Sequence, residues 1–314
     1  MKKIVLYGTG RRGKYYAYQL YKQGIEVAAF CDSFNTETVV YECEGKSIEK
    51  PVWNIEDIDN NYHIIIAIGD TDEAAKVREK IKQYGIPITT LEKIIHQGKD
   101  IVSNNRVLIA EFHNDEMGDY FVSAEDESKI DVFWNKNSPF RLLFCELDLK
   151  KVVELACGQG RHVPQYISDS QEIILVDILK KNIEYCKERF RGENNISYYI
   201  NNGYDLKQLD SESVTALFTY DAMVHFEMMD IFQYLKETRR ILVPGGKALF
   251  HHSNNTEDYK ITFLTGRAGR NYMSKSLFAH LADRAGLSVV KQKEISWGGY
   301  ERLDCITLVE KRKD

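Results

Sequence analysis

Cysteine is sparse in this 314-residue chain and ill placed for bridging or metal binding. The six residues, Cys31, Cys43, Cys145, Cys157, Cys186 and Cys305, form no CxxC pair and have no histidine nearby at zinc-ligand spacing. A disulfide framework and a zinc site are not expected, and free thiols point to a reducing, cytoplasmic setting. Proline is scarcer still, at 5, and with only 20 glycines this excludes collagen-like repeats and proline-rich disorder. No apolar run approaches the ~18 residues of a membrane span, and the run behind Met1-Lys2-Lys3 is too short for a signal peptide. Neither sign of charge dominates: 42 basic residues face 47 acidic, a net of −5, and the first hundred residues alone carry 14 against 15. Without a basic arm, a nucleic-acid partner is not expected.

What is present is an ordinary globular composition, 43% hydrophobic and 28% charged, over a length that predicts roughly two domains of ~100–200 residues each. The segment "KKIVLYGTGRRGKYYAYQLYKQGIEVAAFCDS" reads as strand, glycine turn, helix ending near Gly24, and a second strand ending at Asp32. "HIIIAIGD" is a strand buried on both faces, and the helix after it is opened by Thr71 and closed by Gly85. Residues 1–97 thus form a small Rossmann-like domain. Residues 98–137 read as a connector passing into cap helices, after which Ser138-Pro139 supplies an N-cap and a first-turn proline. From 138 to 314 strands and helices alternate again, through "KKVVELA", "EIILVDI", "ISYYI", "VTALFTY", a turn at "VPGG", "KALFHHS", and two last strands. The fold class is α/β, with two doubly wound domains of unequal size.

Each domain carries a glycine loop. The first, Gly8-Thr9-Gly10-Arg11-Arg12-Gly13, has GxGxxG spacing after a strand, with Asp32 closing the next strand about 20 residues on. Such a loop lets backbone approach a pyrophosphate at a helix N-terminus, and Arg11 and Arg12 favour a phosphate-bearing ligand; the glycines alone can also simply make a tight turn. Through "YGTGRRG" and "FCDS" this segment resembles the small N-terminal domain of bacterial sugar acetyltransferases, which implies a nucleotide or nucleotide-sugar as its ligand.

The second loop is Glu154-Leu155-Ala156-Cys157-Gly158-Gln159-Gly160-Arg161-His162, again directly after a strand. Asp177 ends the next strand, Gly203-Tyr204-Asp205 follows the third, Tyr220-Asp221-Ala222-Met223-Val224-His225 ends the fourth, and Pro244-Gly245-Gly246 turns into the fifth. In these five ordered motifs residues ~135–312 resemble the class I S-adenosylmethionine-dependent methyltransferases. The resemblance implies a seven-stranded methyltransferase domain with S-adenosylmethionine as cofactor. It also implies backbone approach at Ala156, Gly158 and Gly160, ribose hydroxyls on Asp177 beside Ile178, and the adenine amine on Asp205. Gly203, Tyr204 and Tyr220 would line the site, Tyr204 by stacking, while Glu154 orients the loop or the cofactor amino group. Both aspartates can equally cap a helix or a turn.

Methyl transfer from a sulfonium is an in-line displacement that needs positioning, water exclusion and, for a hydroxyl or protonated amine, a base. His225 is the leading candidate, since neutral imidazole accepts a proton near pH 7. His251 and His252 lie on the same sheet edge and point to opposite faces, so at most one faces the cleft. A metal-assisted variant would pair one of these histidines with Asp221, but no tight spacing supports a metal. The loop 253–272 reads as a lid, with Arg267, Arg270 and Asn271 facing an acceptor. Tyr120, Phe121 and Trp134 belong to a segment expected to cover the cofactor, and Trp297-Gly298-Gly299-Tyr300 is either a hairpin turn or a platform for a sugar ring. The expected function is methylation of O or N in a small polar acceptor, a sugar or nucleotide-linked sugar. The competing expectations are a cofactor-binding but inactive regulatory protein and a nicotinamide-dependent oxidoreductase working through the first loop. Nothing in the sequence specifies an oligomeric state.

Overall fold

The computed structural model describes residues 3–96, 100–115 and 120–312. Met1, Lys2, the start of the expected connector at 98–99, residues 116–119 and the side chain of Tyr120 lie outside what is described. The chain divides into two compact units, Met1–Asn105 and Arg106–Asp314.

The first unit runs β1 (Lys3–Tyr7), α1 (Arg11–Lys22), β2 (Val27–Cys31), β3 (Val39–Cys43), β4 (Lys46–Lys50), β5 (Val52–Trp53), β6 (Tyr62–Ile66), α2 (Thr71–Gln83), β7 (Ile88–Thr89) and α3 (Leu91–His96). A five-stranded sheet of order β5-β2-β1-β6-β7 has all its neighbours parallel, and β3 and β4 form a separate antiparallel hairpin. Parallel strands must be covered on both faces, which is why β1 and β6 read as unbroken apolar runs. Asp70, one residue ahead of Thr71, opens α2 by accepting from the Glu73 N–H at 2.8 Å. Gly85, at φ +68°, follows the end of that helix.

The second unit takes in most of α4 (Ile101–Asp115), then α5 (Tyr120–Ala124), α6 (Glu127–Trp134), α7 (Pro139–Phe144), β8 (Lys151–Leu155), β9 (Glu172–Asp177), α8 (Lys180–Arg189), β10 (Ile196–Ile200), β11 (Val214–Thr219), α9 (Met228–Ile241), β12 (Leu242–Ser253), α10 (Lys275–Arg284), β13 (Leu287–Trp297) and β14 (Tyr300–Lys311). Its seven-stranded sheet has the order β10-β9-β8-β11-β12-β14-β13, parallel except for β14, which is antiparallel to both neighbours. Alternate residues feed two cores: Val153, Ile174, Leu217 and Phe250 pack with α9 and α10, while Val152, Ile173, Phe218 and Leu249 pack with α6, α7 and α8. Burial on both faces makes this a doubly wound α/β sheet. The order reverses between β8 and β11, and a crevice at the carboxyl ends of the strands is expected at that switch point.

Two local features are explained by sequence chemistry. Ser138 caps α7 by accepting from the Arg141 N–H at 3.0 Å, with Pro139 in the first turn. At "VPGG" the expected turn falls inside one long strand, Leu242–Ser253, as an interruption of its pairing. Val214 pairs with Leu242 but Ala216 with Lys247, so residues 243–246 bulge from the ladder, and Gly245 takes φ +78° there.

Candidate active site

The loop after β8 is held from below and from the side. Below it, Glu154 is 2% exposed and accepts the Tyr166 hydroxyl at 2.6 Å. Burial raises its carboxyl to about 7, against the pull of Tyr166, Arg161 and Arg189. At the side, Arg189 donates to the Gln159 carbonyl at 2.9 Å. Ala156, Gly158 and Gly160 all have positive φ, at +57°, +55° and +74°, a region glycine enters without steric cost. Glu154 and Gly160 therefore serve the loop and stand apart from the cavity lining. A Cβ on Gly160 would meet the Phe190 ring at 2.6 Å, so that glycine permits packing against the end of α8.

Asp177 closes β9 and ties three elements together. Its carboxylate accepts from the Gly158 N–H at 2.9 Å, the Leu179 N–H at 2.8 Å and the Asn182 amide at 3.1 Å. Burial nonetheless pushes it up to about 6, the hydrogen bonds opposing. The turn-capping role and a cavity-lining role coincide in this residue. Ala156, Gly158, Asp177, Ile178, Gly203, Tyr220, Asp221 and His225 line one cavity at the sheet's switch point.

Tyr204 and Asp205 lie outside that lining. The Arg106 guanidinium sits 4.2 Å from the Tyr204 ring centroid. Asp205 is engaged by Lys207 at 2.8 Å and by the Asn202 amide at 3.2 Å; these hold it low although burial works the other way. Sequence reading missed Arg106, Asp230, Asn201, Tyr234 and Arg161, all of which line the cavity. Arg106 grips Asp230 through Nε and Nη2 at 2.7–3.0 Å, and Asn201 donates to the Tyr234 hydroxyl at 2.8 Å. The charged residue following Gly160 was the one visible signal, for Arg161. Phe121 covers the loop: a Cβ on Gly158 would fall 2.9 Å from its ring.

The far wall is a buried charge network. Asp221 has φ +56° and its carboxylate faces Arg161 at 3.0 Å and Arg270 at 3.7 Å. Burial works against ionisation, but the two guanidiniums hold Asp221 well below the usual carboxylate range. His251 is fully buried away from the cavity. Its Nδ1 accepts the Asp221 N–H at 3.0 Å, so its proton is on Nε2, 3.0 Å from Asp304. An imidazole with both nitrogens so engaged supports Asp221 and has neither nitrogen to offer an acceptor. His252 stacks on Phe278 at 3.8 Å, and burial lowers it to about 3. His225, in contrast, lines the cavity and donates from Nδ1 to the Gly269 carbonyl at 2.7 Å.

The loop expected as a lid is internally tied. Arg270 and Asn271 are each 3% exposed, and Arg267 pairs with Glu257 at 3.0 Å. Trp297 to Tyr300 is a hairpin turn, with Gly298 and Gly299 at φ +56° and +84°; the Trp297 ring stacks on Phe133 at 5.7 Å and 6°. Trp134 donates to His162 at 3.0 Å and is buried. Among the described residues no cluster of His, Cys, Asp or Glu is arranged to hold a metal ion, and no helix is long and apolar enough to cross a membrane.

In the first unit the loop between β1 and α1 borders an open concavity with Arg11, Arg12, Asp32 and Phe34 around it. Asp32 accepts from the Thr9 N–H at 3.2 Å, the Thr9 hydroxyl at 2.9 Å, and the N–H groups of Phe34 and Asn35 at 2.9 and 3.2 Å. It closes the turn with all of its acceptor capacity, where a ribose contact was the alternative.

Comparison with known proteins bears on the second unit. Residues 152–246 match the family model described as a methyltransferase domain. No curated protein matches the chain. Similar solved structures include an S-adenosylmethionine-dependent methyltransferase from Aquifex aeolicus, 16% identical over 60% of this chain and 96% of that one, TM-score 0.46. Others are a protein from Pyrococcus horikoshii, 20% identical over 58% and 96%, TM-score 0.46, and an S-adenosylmethionine-dependent methyltransferase from Mesorhizobium loti, 14% identical over 55% and 96%, TM-score 0.44. The match lies within the second unit, from β8 into β12.

Proposed function

We propose that this protein is an S-adenosylmethionine-dependent enzyme that methylates a hydroxyl or amine of a small polar acceptor, a sugar or nucleotide-linked sugar, in the cavity between the β8 loop and His225. The reading rests on one observation above all: residues from the ends of β8, β9 and β11 and from the turn after β10 converge on a single cavity at the switch point of the sheet.

The lining fits the cofactor's chemistry. S-adenosylmethionine carries an amino-acid end, a ribose diol and an adenine but no phosphate, so close backbone approach at Gly158 and a carboxylate at Asp177 suit it better than a cationic clamp. Bound there, it supplies a methyl group already activated on sulfur. The chain's own residues then position and deprotonate. Asp177 holds the ribose while fastening the loop. Tyr220 and Asp221 shape the wall beside the acceptor. His225 takes the proton of an attacking hydroxyl, its Nδ1–H remaining on the Gly269 carbonyl. Asp221 stays ionised and paired, so its role is electrostatic, holding Arg161 in the wall.

For the first unit we propose a nucleotide or nucleotide-sugar at the Gly8–Gly13 loop. Gly10 favours this reading: a Cβ there would meet nothing within 4 Å, so its lack of a side chain is not needed for packing.

Calorimetry with S-adenosylhomocysteine tests the first step, and absence of binding by the wild-type protein would overturn the proposal. Transfer of a labelled methyl group across a panel of sugars and nucleotide-sugars tests the second. Persistent cofactor binding with no transfer to any acceptor would favour an inactive regulatory protein instead.

A further inference from the structure

The imidazole of His225 is clamped by a short stretch of backbone that is itself pinned by a buried ion pair. Nδ1 meets the Gly269 carbonyl at 2.7 Å. Two residues on, the Asn271 N–H donates to the Val224 carbonyl at 3.0 Å, and the Asn271 amide reaches the His225 carbonyl at 3.4 Å. Residues 269–271 therefore hold both the ring and the backbone of the 223–225 turn.

The conformation of that stretch is costly to form. Ala268 and Gly269 are consecutive left-handed residues, at φ +47° and +73°, and Ala268 carries the Cβ penalty that glycine avoids. Gly269 is glycine for a second reason: a Cβ on it would stand 3.1 Å from Nδ1 of His225, so the close approach of backbone to imidazole depends on the missing side chain. Strain of this kind persists only where surrounding structure over-determines it.

Arg270 supplies that constraint. Its Nη1 donates to the Ala268 carbonyl at 2.7 Å, directly across the strained turn. Its Nε and Nη2 donate to Asp304 at 2.7–3.2 Å, and its guanidinium lies 4.7 Å from the Trp297 ring centroid. Asp304, on β14, is fully buried and also takes the Nε2–H of His251, whose Nδ1 accepts from Asp221. An arginine fork fits this site and a lysine does not, because one planar group must serve a carboxylate and a carbonyl at once. The anchor stands on a rigid strand, while the stretch that it holds belongs to a long loop.

We infer that Arg270 is a positioning residue: bound to Asp304, it aims the Gly269 carbonyl at His225 and so selects the Nδ1–H tautomer. Which nitrogen of a neutral imidazole carries the proton is decided by the hydrogen bond made by the other, and here that bond comes from backbone with no charge of its own. The inference rests on the proposed role of His225, but its central claim concerns a tautomer and can be read without any acceptor.

Long-range proton–nitrogen correlation spectra of the full-length protein labelled with 15N-histidine read the tautomer directly, with His225→Gln assigning the resonance. The wild-type His225 is expected to be neutral with Nδ1 protonated. Arg270→Met should shift it toward a mixture containing the Nε2–H form, and Arg270→Lys should restore the wild-type pattern only in part. Gly269→Ala keeps every buried charge and displaces the carbonyl, so it decides the matter if Arg270→Met does not fold; the same shift is expected. An Nε2–H tautomer in the wild type, or an unchanged Nδ1–H tautomer in folded Arg270→Met or in Gly269→Ala, would overturn the inference. S-adenosylhomocysteine binding, measured in parallel on the wild type, reports separately on the proposed function.

Discussion

The two glycine loops are built on the same local device and differ in what surrounds it. In each, a strand runs into a glycine turn, and an aspartate at the end of the next strand reaches back to a loop N–H, Asp32 to Thr9 at 3.2 Å and Asp177 to Gly158 at 2.9 Å. Asp32 is partly exposed, and its hydrogen bonds to Phe34, Asn35 and Thr9 outweigh burial and lower it; Asp177 is buried and raised to about 6. The first loop borders a concavity lined by Arg11, Arg12 and Phe34, whereas the second faces Tyr220, Asp221 and His225. An acid about 20 residues after a glycine loop thus closes the turn in both cases, and the walls determine what the turn can hold.

The largest expected effect that separates the loops is Asp177→Ala. With three hydrogen bonds already on its carboxylate, Asp177 has room for about one more; a charge-assisted hydrogen bond to a ribose hydroxyl is worth roughly 1.5–3 kcal/mol, so affinity for S-adenosylhomocysteine should fall by about 10- to 100-fold. Asp32→Ala should leave it within twofold. Isothermal titration calorimetry on both variants breaks the comparison if the two losses are alike.

Glycine substitutions in the first loop come next. A Cβ on Gly13 would sit 2.0 Å from the Gly8 carbonyl oxygen, while one on Gly10 would meet nothing within 4 Å. Overpacking of this kind costs about 1–3 kcal/mol, so Gly13→Ala should destabilise the first unit in urea. Gly10→Ala should leave its stability unchanged and weaken any nucleotide that binds there. If both variants unfold alike, Gly10 has a packing role that its surroundings do not reveal.

Acidity gives the third contrast. The pKa of Asp177 rises from 3.8 to about 6 on folding, so the cofactor-free protein is favoured by its protonated form. That contribution is complete below 3.8 and is lost as pH rises through about 6, with Glu154 acting in the same sense up to about 7. Ribose binding needs the ionised carboxylate, so affinity for S-adenosylhomocysteine should rise about tenfold, roughly 1.4 kcal/mol, between pH 5 and 7. Asp177→Asn should bind weakly and remove most of that slope. Asp32, already lowered, contributes no such slope over this range.

Much of this architecture was legible because period-two alternation and unbroken apolar strands leave a direct trace in sequence. The parallel strands of both sheets and the N-cap at Ser138 follow from residues close together in the chain. The cavity was legible in part, through the strand ends that carry Ala156, Gly158, Asp177, Tyr220, Asp221 and His225. What escaped were partnerships that no local pattern encodes. Arg106 and Asp230 meet across 124 residues, and Arg270, Asp304 and His251 converge from a loop and two strands. Tyr204 and Asp205 sat in the right motif, yet Arg106 and Lys207 engage them outside the cavity. Such pairings depend on which side chains burial brings together, and spacing carries no record of it.

The smallest expected effect concerns Ala156, where the second loop holds a non-glycine residue at φ +57°. In the first loop the only residue at positive φ is Gly8, at +116°. A left-handed alanine costs roughly 1–2 kcal/mol relative to its ordinary backbone, and glycine returns about half of that gain by loosening the unfolded chain. Ala156→Gly should therefore raise stability by at most about 1 kcal/mol, or ~2–4 °C in melting temperature. Gly160→Ala at φ +74° should lower it, because the new methyl group would also press on Phe190. Opposite signs in thermal melts would mark the second loop as one that carries strain beside its cavity, as functional sites do. A drop in stability for Ala156→Gly would instead mean that the alanine methyl is packed well enough to offset its backbone, and the loops would then differ only in their walls.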